Sequence, residues 1–234
     1  MTGPGVRTRH ALVLADGDAP TRAGLDAAWP GWDDGVDLVV AADGGARLAG
    51  ALGLSIDLWV GDGDSLGREG VEALLAGAVP VELAATDKEE TDTELGLLAA
   101  LRTGARAVTI LGALRGPRLD HELANVQLLG HPAAGRLPLE LLDDGIRLRL
   151  LVPPGAGGPV ELALHGRVGD IVTLIPLVDA TGVTTTGLRY PLSDAVLPVG
   201  PSRGVSNVRE RPDAAVRIGS GRLLVAEVPA TLQG

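Results

Sequence analysis

Two aspartates stand two residues apart in the segment GDGDS at residues 61–65, directly after an apolar run. If extended geometry persists there, Asp62 and Asp64 point the same way and place two carboxylates on one side of the chain. Mg²⁺ prefers such oxygen ligands, completed by waters and substrate phosphates. Acidic turn residues are also common, and Asp64 could cap the next helix. Because two carboxylates this close repel each other unless a cation joins them, the pair predicts a divalent-cation site.

A second acidic segment, KEETDTE at residues 88–94, precedes a leucine-rich stretch. Thr91 and Glu94 have the spacing of a helix-capping box, and Asp92 in the first turn suits the helix dipole. That structural role accounts for Thr91 and Glu94 but leaves Lys88 and Asp92 less explained. The alternative is that Asp92 is a third metal carboxylate, beside a lysine that could meet a polyphosphate.

A glycine loop, Asp43-Gly44-Gly45, follows another apolar run and opens a predicted helix at Ala46. Glycines allow close backbone approach, and the free N–H groups at a helix start suit a phosphate. An ordinary strand-to-helix turn with Asp43 as its cap explains the same residues. Taken alone, the loop favours this structural role.

The segment GALRGPRLDH at residues 112–121 is the fourth loop of interest. A helix that starts by Arg118 advances about 100° per residue and brings Arg118, His121 and Asn125 together on one polar face. An amphipathic surface helix explains the leucines on the opposite face. It does not explain why the polar face begins at a glycine-rich loop beyond a strand, where an anionic ligand would lie. No second histidine stands at metal-ligand spacing from His121, so we predict no zinc site.

All four loops follow apolar runs that alternate with helix-like stretches in the first part of the chain. That alternation predicts a mostly parallel, Rossmann-like α/β sheet, in which ligands bind beyond the carboxyl ends of the strands. The predicted strands are residues 11–15, 38–42, 56–60, 79–83 and 107–111. The predicted helices are residues 21–28, 46–52, 69–76, 91–102 and 118–129. We assign residues 1–137 to this α/β domain.

From residue 138 onward the pattern changes to short strands separated by turn signals, with no convincing helix. The predicted strands are residues 139–142, 146–152, 160–164, 171–177, 216–218 and 223–228. The run Gly219-Ser220-Gly221 is a candidate hairpin turn between the last two of them. We assign residues 138–234 to a small all-β domain.

The charge balance argues against a nucleic acid as partner, because 20 basic and 30 acidic side chains give a formal net charge of −10. The longest segment without a formal charge, residues 123–135, is too short to span a bilayer, so we expect no membrane insertion. The first nine residues lack the apolar centre of a secretory signal. Because the chain also has no cysteine, we expect a cytoplasmic protein without disulfides or thiolate metal sites.

Six motifs occur here in the order and spacing typical of thiamine pyrophosphokinases, and the chain resembles that family from Ala11 to Val225. The motifs in the first domain are ADGG at 42–45, GDxDS at 61–65, Lys88 with TDxE at 91–94, and RxDHxxxN at 118–125. Those in the second domain are GLRYPL at 187–192 and SN at 206–207. No single motif is decisive, but all six in register are hard to obtain by accident.

The resemblance implies an N-terminal α/β domain that binds ATP and metal and a C-terminal β-sandwich for thiamine binding and dimerisation. It further implies homodimers, with active sites at the subunit interface. The implied reaction moves a diphosphoryl group from ATP to the hydroxyethyl oxygen of thiamine, releases AMP and requires Mg²⁺. By matched position, the metal-site carboxylates are Asp62, Asp64 and Asp92, and the residues placed for ATP phosphates are Lys88 and Arg118. The other positions expected at the substrates are Asp43, Gly44, Thr91, Asp120, His121, Asn125, Tyr190, Ser206 and Asn207.

The charges of the two substrates agree with this assignment. ATP is a polyanion, which an acidic domain repels unless bound Mg²⁺ reverses the local sign. Thiamine is a cation, and an acidic pocket edged by Tyr190 would attract its thiazolium ring and stack on it, worth roughly 0.5–2 kcal/mol. Packing within the all-β domain is the alternative role for Tyr190.

Three local departures from the family pattern stand beside these matches. Gly63 replaces the usual phenylalanine between the two aspartates, Glu89 replaces an aspartate, and Val208 replaces the glutamate that commonly follows the Ser-Asn pair. We expect these departures to alter substrate affinity rather than to abolish the reaction.

Two rival functions stay open: a related diphosphokinase acting on another hydroxymethyl heterocycle such as a pterin, and a noncatalytic thiamine- or nucleotide-binding module. No residue stands out as a general base.

Overall fold

A computed structural model describes residues 9–155 and 158–230 of the chain. By its internal contacts the chain forms two compact units, Met1–Asp144 and Gly145–Gly234. The sequence placed the boundary after Leu137. The structure keeps residues 139–142 with the first unit because they form a strand that pairs with residues 108–111.

The first unit is a six-stranded sheet flanked by helices, and every strand pair in it is parallel. Its strands are β1 (His10–Leu14), β2 (Val36–Ala42), β3 (Leu58–Gly61), β4 (Val81–Leu83), β5 (Ala107–Leu111) and β6 (Leu139–Leu142). Its helices are α1 (Arg22–Ala28), α2 (Gly45–Leu52), α3 (Gly67–Ala76), α4 (Asp92–Arg102) and α5 (Leu119–Leu128). The parallel α/β sheet predicted from the alternating pattern is confirmed.

The strand order β4-β3-β2-β1-β5-β6 reverses direction between β1 and β5. At such a switch point the loops that leave the two strands part, and a crevice opens at the carboxyl edge of the sheet. The central strands are apolar because they are buried on both faces. The largest side chains of the core on one face include Leu12, Leu14, Trp29 and Leu52. This rigid layer fixes the strand ends that carry the site.

The second unit consists of antiparallel strands, and its described residues, 145–155 and 158–230, contain no α-helix. Its strands are β7 (Arg147–Leu151), β8 (Val160–Ala163), β9 (Ile171–Thr186), β10 (Ala195–Leu197), β11 (Asn207–Val208), β12 (Ala215–Ile218) and β13 (Ser220–Val228). The long strand β9 pairs with β13 along its first part and with β12 near its end. Side chains from β7, β9, β12 and β13 enclose one apolar core, so this half is strand-rich as expected.

The hairpin expected at Gly219-Ser220-Gly221 is wrong. β12 and β13 do not pair with each other; both run antiparallel to β9, with Ala215 opposite Thr186 and Val228 opposite Ile171. Gly221 lies at an irregularity in this ladder and has a φ of +92°. A Cβ there would lie 2.2 Å from the carbonyl oxygen of Asp179. The glycine therefore allows a close backbone approach at a β-bulge instead of reversing the chain.

No helix among the described residues is both long enough and apolar enough to span a bilayer.

Candidate active site

A cavity of about 490 Å³ opens at the carboxyl edge of the parallel sheet in the first unit. The loops that follow β1, β2, β3 and β5 line it, together with the residues before and at the starts of α4 and α5. This is the crevice that the strand order predicts at the switch point. Residues from all four loops singled out in the sequence meet there.

Asp43 organises the loop that follows β3. Its carboxylate is buried and accepts hydrogen bonds from the backbone N–H groups of Ser65 (3.0 Å) and Leu66 (3.4 Å). Its own carbonyl accepts the indole N–H of Trp59 at 2.9 Å. The residue has a φ of +43°, a left-handed conformation that aspartate tolerates better than most side chains. Asp43 thus ties the end of β2 to the GDGDS segment.

The two glycines after Asp43 are required by close packing. A Cβ on Gly44 would lie 2.2 Å from the carboxylate of Asp16, and one on Gly45 would lie 1.9 Å from the carbonyl oxygen of Leu14. Helix α2 can therefore begin directly against the end of β1 only if both positions lack side chains. The structure thus gives Gly44 a definite packing role in the wall of the cleft.

Three aspartates and one lysine converge on the floor of the cleft. The Nζ of Lys88 donates to Asp92 at 2.6 Å and to Asp62 at 3.3 Å, and only 13% of the lysine side chain is exposed. Carboxylate oxygens of Asp43, Asp62 and Asp92 lie within 4.8 Å of one another, the one group of this kind among the described residues. Such a set of hard oxygen donors suits a divalent cation such as Mg²⁺.

Asp64 lies beside this group rather than within it. Its backbone N–H donates to Asp62 at 3.1 Å, and its exposed carboxylate accepts the hydroxyl of Ser65 at 3.2 Å. The sequence proposed Asp62, Asp64 and Asp92 as the metal carboxylates. The structure brings Asp43 into the tight group and leaves Asp64 at its rim.

The protonation of these groups follows from their contacts. The backbone N–H of Asp64 and the ammonium of Lys88 lower the pKa of Asp62. A hydrogen bond with Asp43 and the charge of Asp62 raise the pKa of Asp64. Burial by itself lowers the pKa of Lys88, but its bonds to Asp92 and Asp62 outweigh that effect and raise the pKa overall. Lys88 is therefore a fixed positive charge among acidic neighbours at neutral pH.

Helix α4 begins at the edge of the cleft with the predicted cap. The hydroxyl of Thr91 accepts the N–H of Glu94 at 3.2 Å. The carboxylate of Glu94 contacts the ring of His131 at 3.2 Å instead of completing a capping box. Thr91 lines the cleft, and its hydroxyl is already used in the cap.

The opposite wall carries the residues predicted around α5. Arg118 and His121 line the cleft and are exposed. Arg118 donates to Asp120 with two nitrogens, at 3.2 Å and 2.5 Å, and this ion pair lowers the pKa of Asp120. Asn125 is buried, and its amide donates to the carbonyl of Ala113 at 2.9 Å. Asn125 therefore anchors the loop after β5, whereas Arg118 and His121 stay available to a ligand.

The residues predicted in the second unit lie together there. The amide of Asn207 is buried and clamps the backbone of Tyr190: its oxygen accepts the N–H at 3.0 Å and its nitrogen donates to the carbonyl at 2.7 Å. Tyr190 is 63% exposed. Ser206 has a φ of +57°, and its N–H donates to the hydroxyl of Thr173 at 3.0 Å. Asn207 thus fixes the backbone of Tyr190 next to the segment that carries Ser206.

Among the residues of the cleft region that sequence reasoning missed, Asp16 and Arg47 make charged contacts. Asp16 follows β1 and lines the cleft, and its carboxylate accepts from Arg47 at 2.7 Å. Arg47 also donates to the carbonyl of Ser65 at 3.0 Å and so joins two of the loops. Applying the strand-end argument to the first strand would have found Asp16. Arg47 carried no signal, because a lone arginine on a helix is ordinarily solvated.

Comparisons with known proteins assign the chain to a family. A family model described as "Thiamin pyrophosphokinase, catalytic domain" matches residues 32–141, and one described as "Thiamin pyrophosphokinase, vitamin B1 binding domain" matches residues 160–224. The chain belongs to the thiamin pyrophosphokinase family. The resemblance carried by the six motifs is therefore confirmed, and these matches give no support to the pterin alternative.

Individual relatives agree with the family models. The chain is 28% identical to a thiamine pyrophosphokinase of Bacillus subtilis over 63% of its own length and 66% of that protein, slightly under two thirds. A crystal structure of the thiamine pyrophosphokinase from Bacillus subtilis matches the fold with a TM-score of 0.77 at 23% identity, covering 94% of this chain and 99% of that one. The thiamin pyrophosphokinase of Geobacillus thermodenitrificans matches with a TM-score of 0.75 at 27% identity, covering 94% and 97%.

Proposed function

We propose that this protein transfers a diphosphoryl group from ATP to the hydroxyethyl oxygen of thiamine, forming thiamine diphosphate and AMP. The observation that carries the proposal is the acidic group on the cleft floor, where carboxylates of Asp43, Asp62 and Asp92 lie within 4.8 Å of one another beside Lys88. In a member of the thiamin pyrophosphokinase family, such a group at the carboxyl edge of the sheet, in the cleft that also borders the switch point, fits a site for a polyphosphate and its metal.

Mg²⁺ is the metal that this donor set fits. The donors are hard carboxylate oxygens, and Lys88 is the single cation hydrogen-bonded to Asp62 and Asp92 among the described residues. Three carboxylates against one ammonium leave an uncompensated negative charge that a divalent ion would neutralise. Asp43, Asp62 and Asp92 would hold the ion, with Asp64 as the further carboxylate at the rim. When bound, Mg²⁺ orients the phosphate oxygens and spreads their charge.

The chain's own cations complete the phosphate site. Lys88 is held on the cleft floor by two ion pairs, and Arg118 lines the cleft with an exposed side chain. In the reaction the thiamine hydroxyl oxygen forms a bond to the β-phosphorus, and the bond from that phosphorus to the bridging oxygen of AMP breaks. The hydroxyl proton is released, and Lys88 and Arg118 stabilise the negative charge on the transferring group. Catalysis then consists mainly of positioning and electrostatic stabilisation.

The thiamine side of the proposal places the vitamin at the second unit. Tyr190 is exposed, and its backbone is held by the side chain of Asn207, the residue that follows Ser206. A thiazolium cation stacks favourably on a tyrosine ring, by roughly 0.5–2 kcal/mol. The first unit would then be the ATP- and metal-binding catalytic domain, and the second the thiamine-binding and dimerisation domain.

We also propose a cytoplasmic homodimer with active sites at the subunit interface. Ile175, Leu177 and Val178 on β9 are between 41% and 51% exposed, although they are apolar. Exposed apolar side chains clustered on one strand are typical of a surface that another protein covers. Sedimentation velocity at micromolar concentration tests this part: a monomer that stays active would contradict it.

AMP release is the measurement that tests the reaction. We expect AMP when the protein is incubated with ATP, Mg²⁺ and thiamine, and a loss of two or more orders of magnitude in turnover for Asp62→Asn with circular dichroism unchanged. Asp213→Asn, which removes an exposed ion pair with Arg211, is the matched control and should keep wild-type turnover. Turnover close to wild type in Asp62→Asn would refute the metal assignment. AMP with a hydroxymethylpterin but not with thiamine would instead favour the related diphosphokinase, and binding without AMP would favour a noncatalytic module.

A further inference from the structure

The loop between β5 and α5 forms one wall of the cleft. Five of its residues line the cavity: Gly112, Ala113, Gly116, Pro117 and Arg118. Arg115, in the middle of the same loop, is not among the cavity-lining residues. Its guanidinium bonds instead to the two aspartates that follow β6, through Nε to Asp143 at 2.9 Å, through one terminal nitrogen to the other oxygen of Asp143, and through the same nitrogen to Asp144 at 2.8 Å.

The backbone of Arg115 is held in a conformation that arginine rarely adopts. Its φ is +58°, in the left-handed region where glycine is the usual residue. Such a strained backbone conformation persists only where surrounding contacts hold it in place. The charged bonds to Asp143 and Asp144 supply that constraint, since charge-assisted and bidentate contacts of arginine are the strong ones.

The two aspartates are themselves fixed to the body of the first unit. Asp143 is fully buried, and its carbonyl accepts the indole N–H of Trp29 at 2.6 Å. The carboxylate of Asp144 accepts the N–H of Thr21 at 3.4 Å, where α1 begins. Gly24 faces the same carboxylate so closely that a Cβ there would lie 2.7 Å from its oxygen. The anchor for Arg115 is therefore part of the rigid core.

We propose that Arg115 is a positioning residue: through its ion pairs with Asp143 and Asp144 it holds the cleft wall in place, and with it Arg118, a cation that lines the cleft. Arg118 follows Arg115 by only three residues, and its own side chain is exposed and bonded only to the neighbouring Asp120 among the contacts described. The place of Arg118 at the cleft thus depends on the path of the loop. The effect on ATP rests on the proposed function, whereas the effect on the loop does not.

Three substitutions of Arg115 separate its charge from its backbone. Arg115→Gly removes the ion pairs and permits the positive φ without strain, Arg115→Ala removes the ion pairs and keeps the strain, and Arg115→Lys keeps a charge. We expect KM for ATP to rise about tenfold in the glycine variant, and at least as much in the alanine variant. We expect the lysine variant to recover part of the loss, and KM for thiamine to stay within twofold in all three. The matched control is Arg68→Ala, which removes an exposed ion pair with Glu72 on α3.

The rate of trypsin cleavage at the Arg118–Leu119 bond measures how well the loop is held in place, and it does not depend on enzyme activity. We expect this bond to be cut several-fold faster in Arg115→Gly than in the wild type, and at the wild-type rate in Arg68→Ala. Asp144→Asn, which leaves the buried Asp143 intact, should move both readouts in the same direction by a smaller factor, and it serves if the Arg115 variants do not fold. Unchanged KM for ATP together with an unchanged cleavage rate would overturn the proposal. If the wild type releases no AMP, the proposed function fails, and the cleavage rates still decide whether Arg115 holds the loop.

Discussion

Lys88 offers the sharpest test of the acidic group, because it forms ion pairs with two of the three clustered carboxylates. Lys88→Met keeps most of the unbranched side chain and removes the charge. It leaves Asp43, Asp62 and Asp92 with oxygens within 4.8 Å of one another and without the ammonium. At that separation each like-charge pair repels by roughly 3 kcal/mol at an effective dielectric constant of about 20. Water relieves part of this repulsion, since 31% of the Asp92 side chain is exposed.

We therefore expect Lys88→Met to lower the free energy of unfolding by about 2 kcal/mol in the absence of metal, less than the loss for a fully buried pair. For a chain of this length, that is a fall of about 4–8 °C in Tm. Mg²⁺ should then become the main counter-charge. If its Kd falls about a hundredfold from roughly 10 mM, then about 10 mM Mg²⁺ stabilises the variant by about 2.7 kcal/mol and the wild type by about 0.4 kcal/mol.

The assay is thermal unfolding with and without about 10 mM MgCl₂, at constant ionic strength and without nucleotide. The matched control is Arg68→Met, which removes the exposed ion pair with Glu72 and should change Tm by little. We expect the Tm gain from Mg²⁺ to be several degrees larger in Lys88→Met than in the wild type. An unchanged Tm in the metal-free variant, or equal gains from Mg²⁺ in both proteins, would refute the view that Lys88 and a cation compensate the same carboxylates.

Asn125→Ala should lower the free energy of unfolding by about 1–2 kcal/mol in urea titrations, because the carbonyl of Ala113 loses its buried donor; an unchanged midpoint would contradict the anchoring role. Burial raises the pKa of Asp143 to about 6, above its value in the unfolded chain, so protonation favours the folded state. Raising the pH from about 4 to about 6 should then cost the wild type about 2 kcal/mol more than Asp143→Asn, and parallel pH profiles would contradict this. Tyr190→Ala should raise KM for thiamine about tenfold, whereas Tyr190→Phe should stay within twofold, and equal losses in both would contradict stacking.

The elements of the first unit could be read from the sequence because their signals are local. Buried parallel strands are short apolar runs that end at polar residues, and β5 lies at 107–111 as predicted. The second unit was harder, since β9 continues through Pro176 and Gly182 to Thr186. Taken alone, a proline and a glycine predict the end of a strand. Pairing with β13 and β12 on distant parts of the chain keeps the strand continuous, and no local pattern records that pairing.

The same distinction applies to the site. Lys88 and Asp62 could be found because each lies in a loop at the carboxyl edge of the predicted sheet. The place of Asp43 in the acidic group could not, since the sequence offers a sufficient local role for it as a cap. Its carboxylate turns toward Ser65 and Leu66 because the loop after β3 lies alongside, which depends on the packing of β2 and β3. For Asn125 the sequence predicted a place at the substrate, but the structure shows its amide bonded to the carbonyl of Ala113 within the fold.

In the role that we propose for Arg115, its ion pairs fix the geometry of the loop and need not add folding stability. Burial raises the pKa of Asp143 to about 6 even though a guanidinium contacts it, so desolvation of this carboxylate outweighs the attraction. Buried ion pairs often break even or lose against neutral replacements. The presence of a carboxylate at Asp143 is therefore better explained by its role in positioning Arg115 than by a contribution to folding stability. If so, Asp143→Asn at pH 7 should unfold at or above the wild-type temperature and still raise KM for ATP, a combination that a purely stabilising role cannot produce.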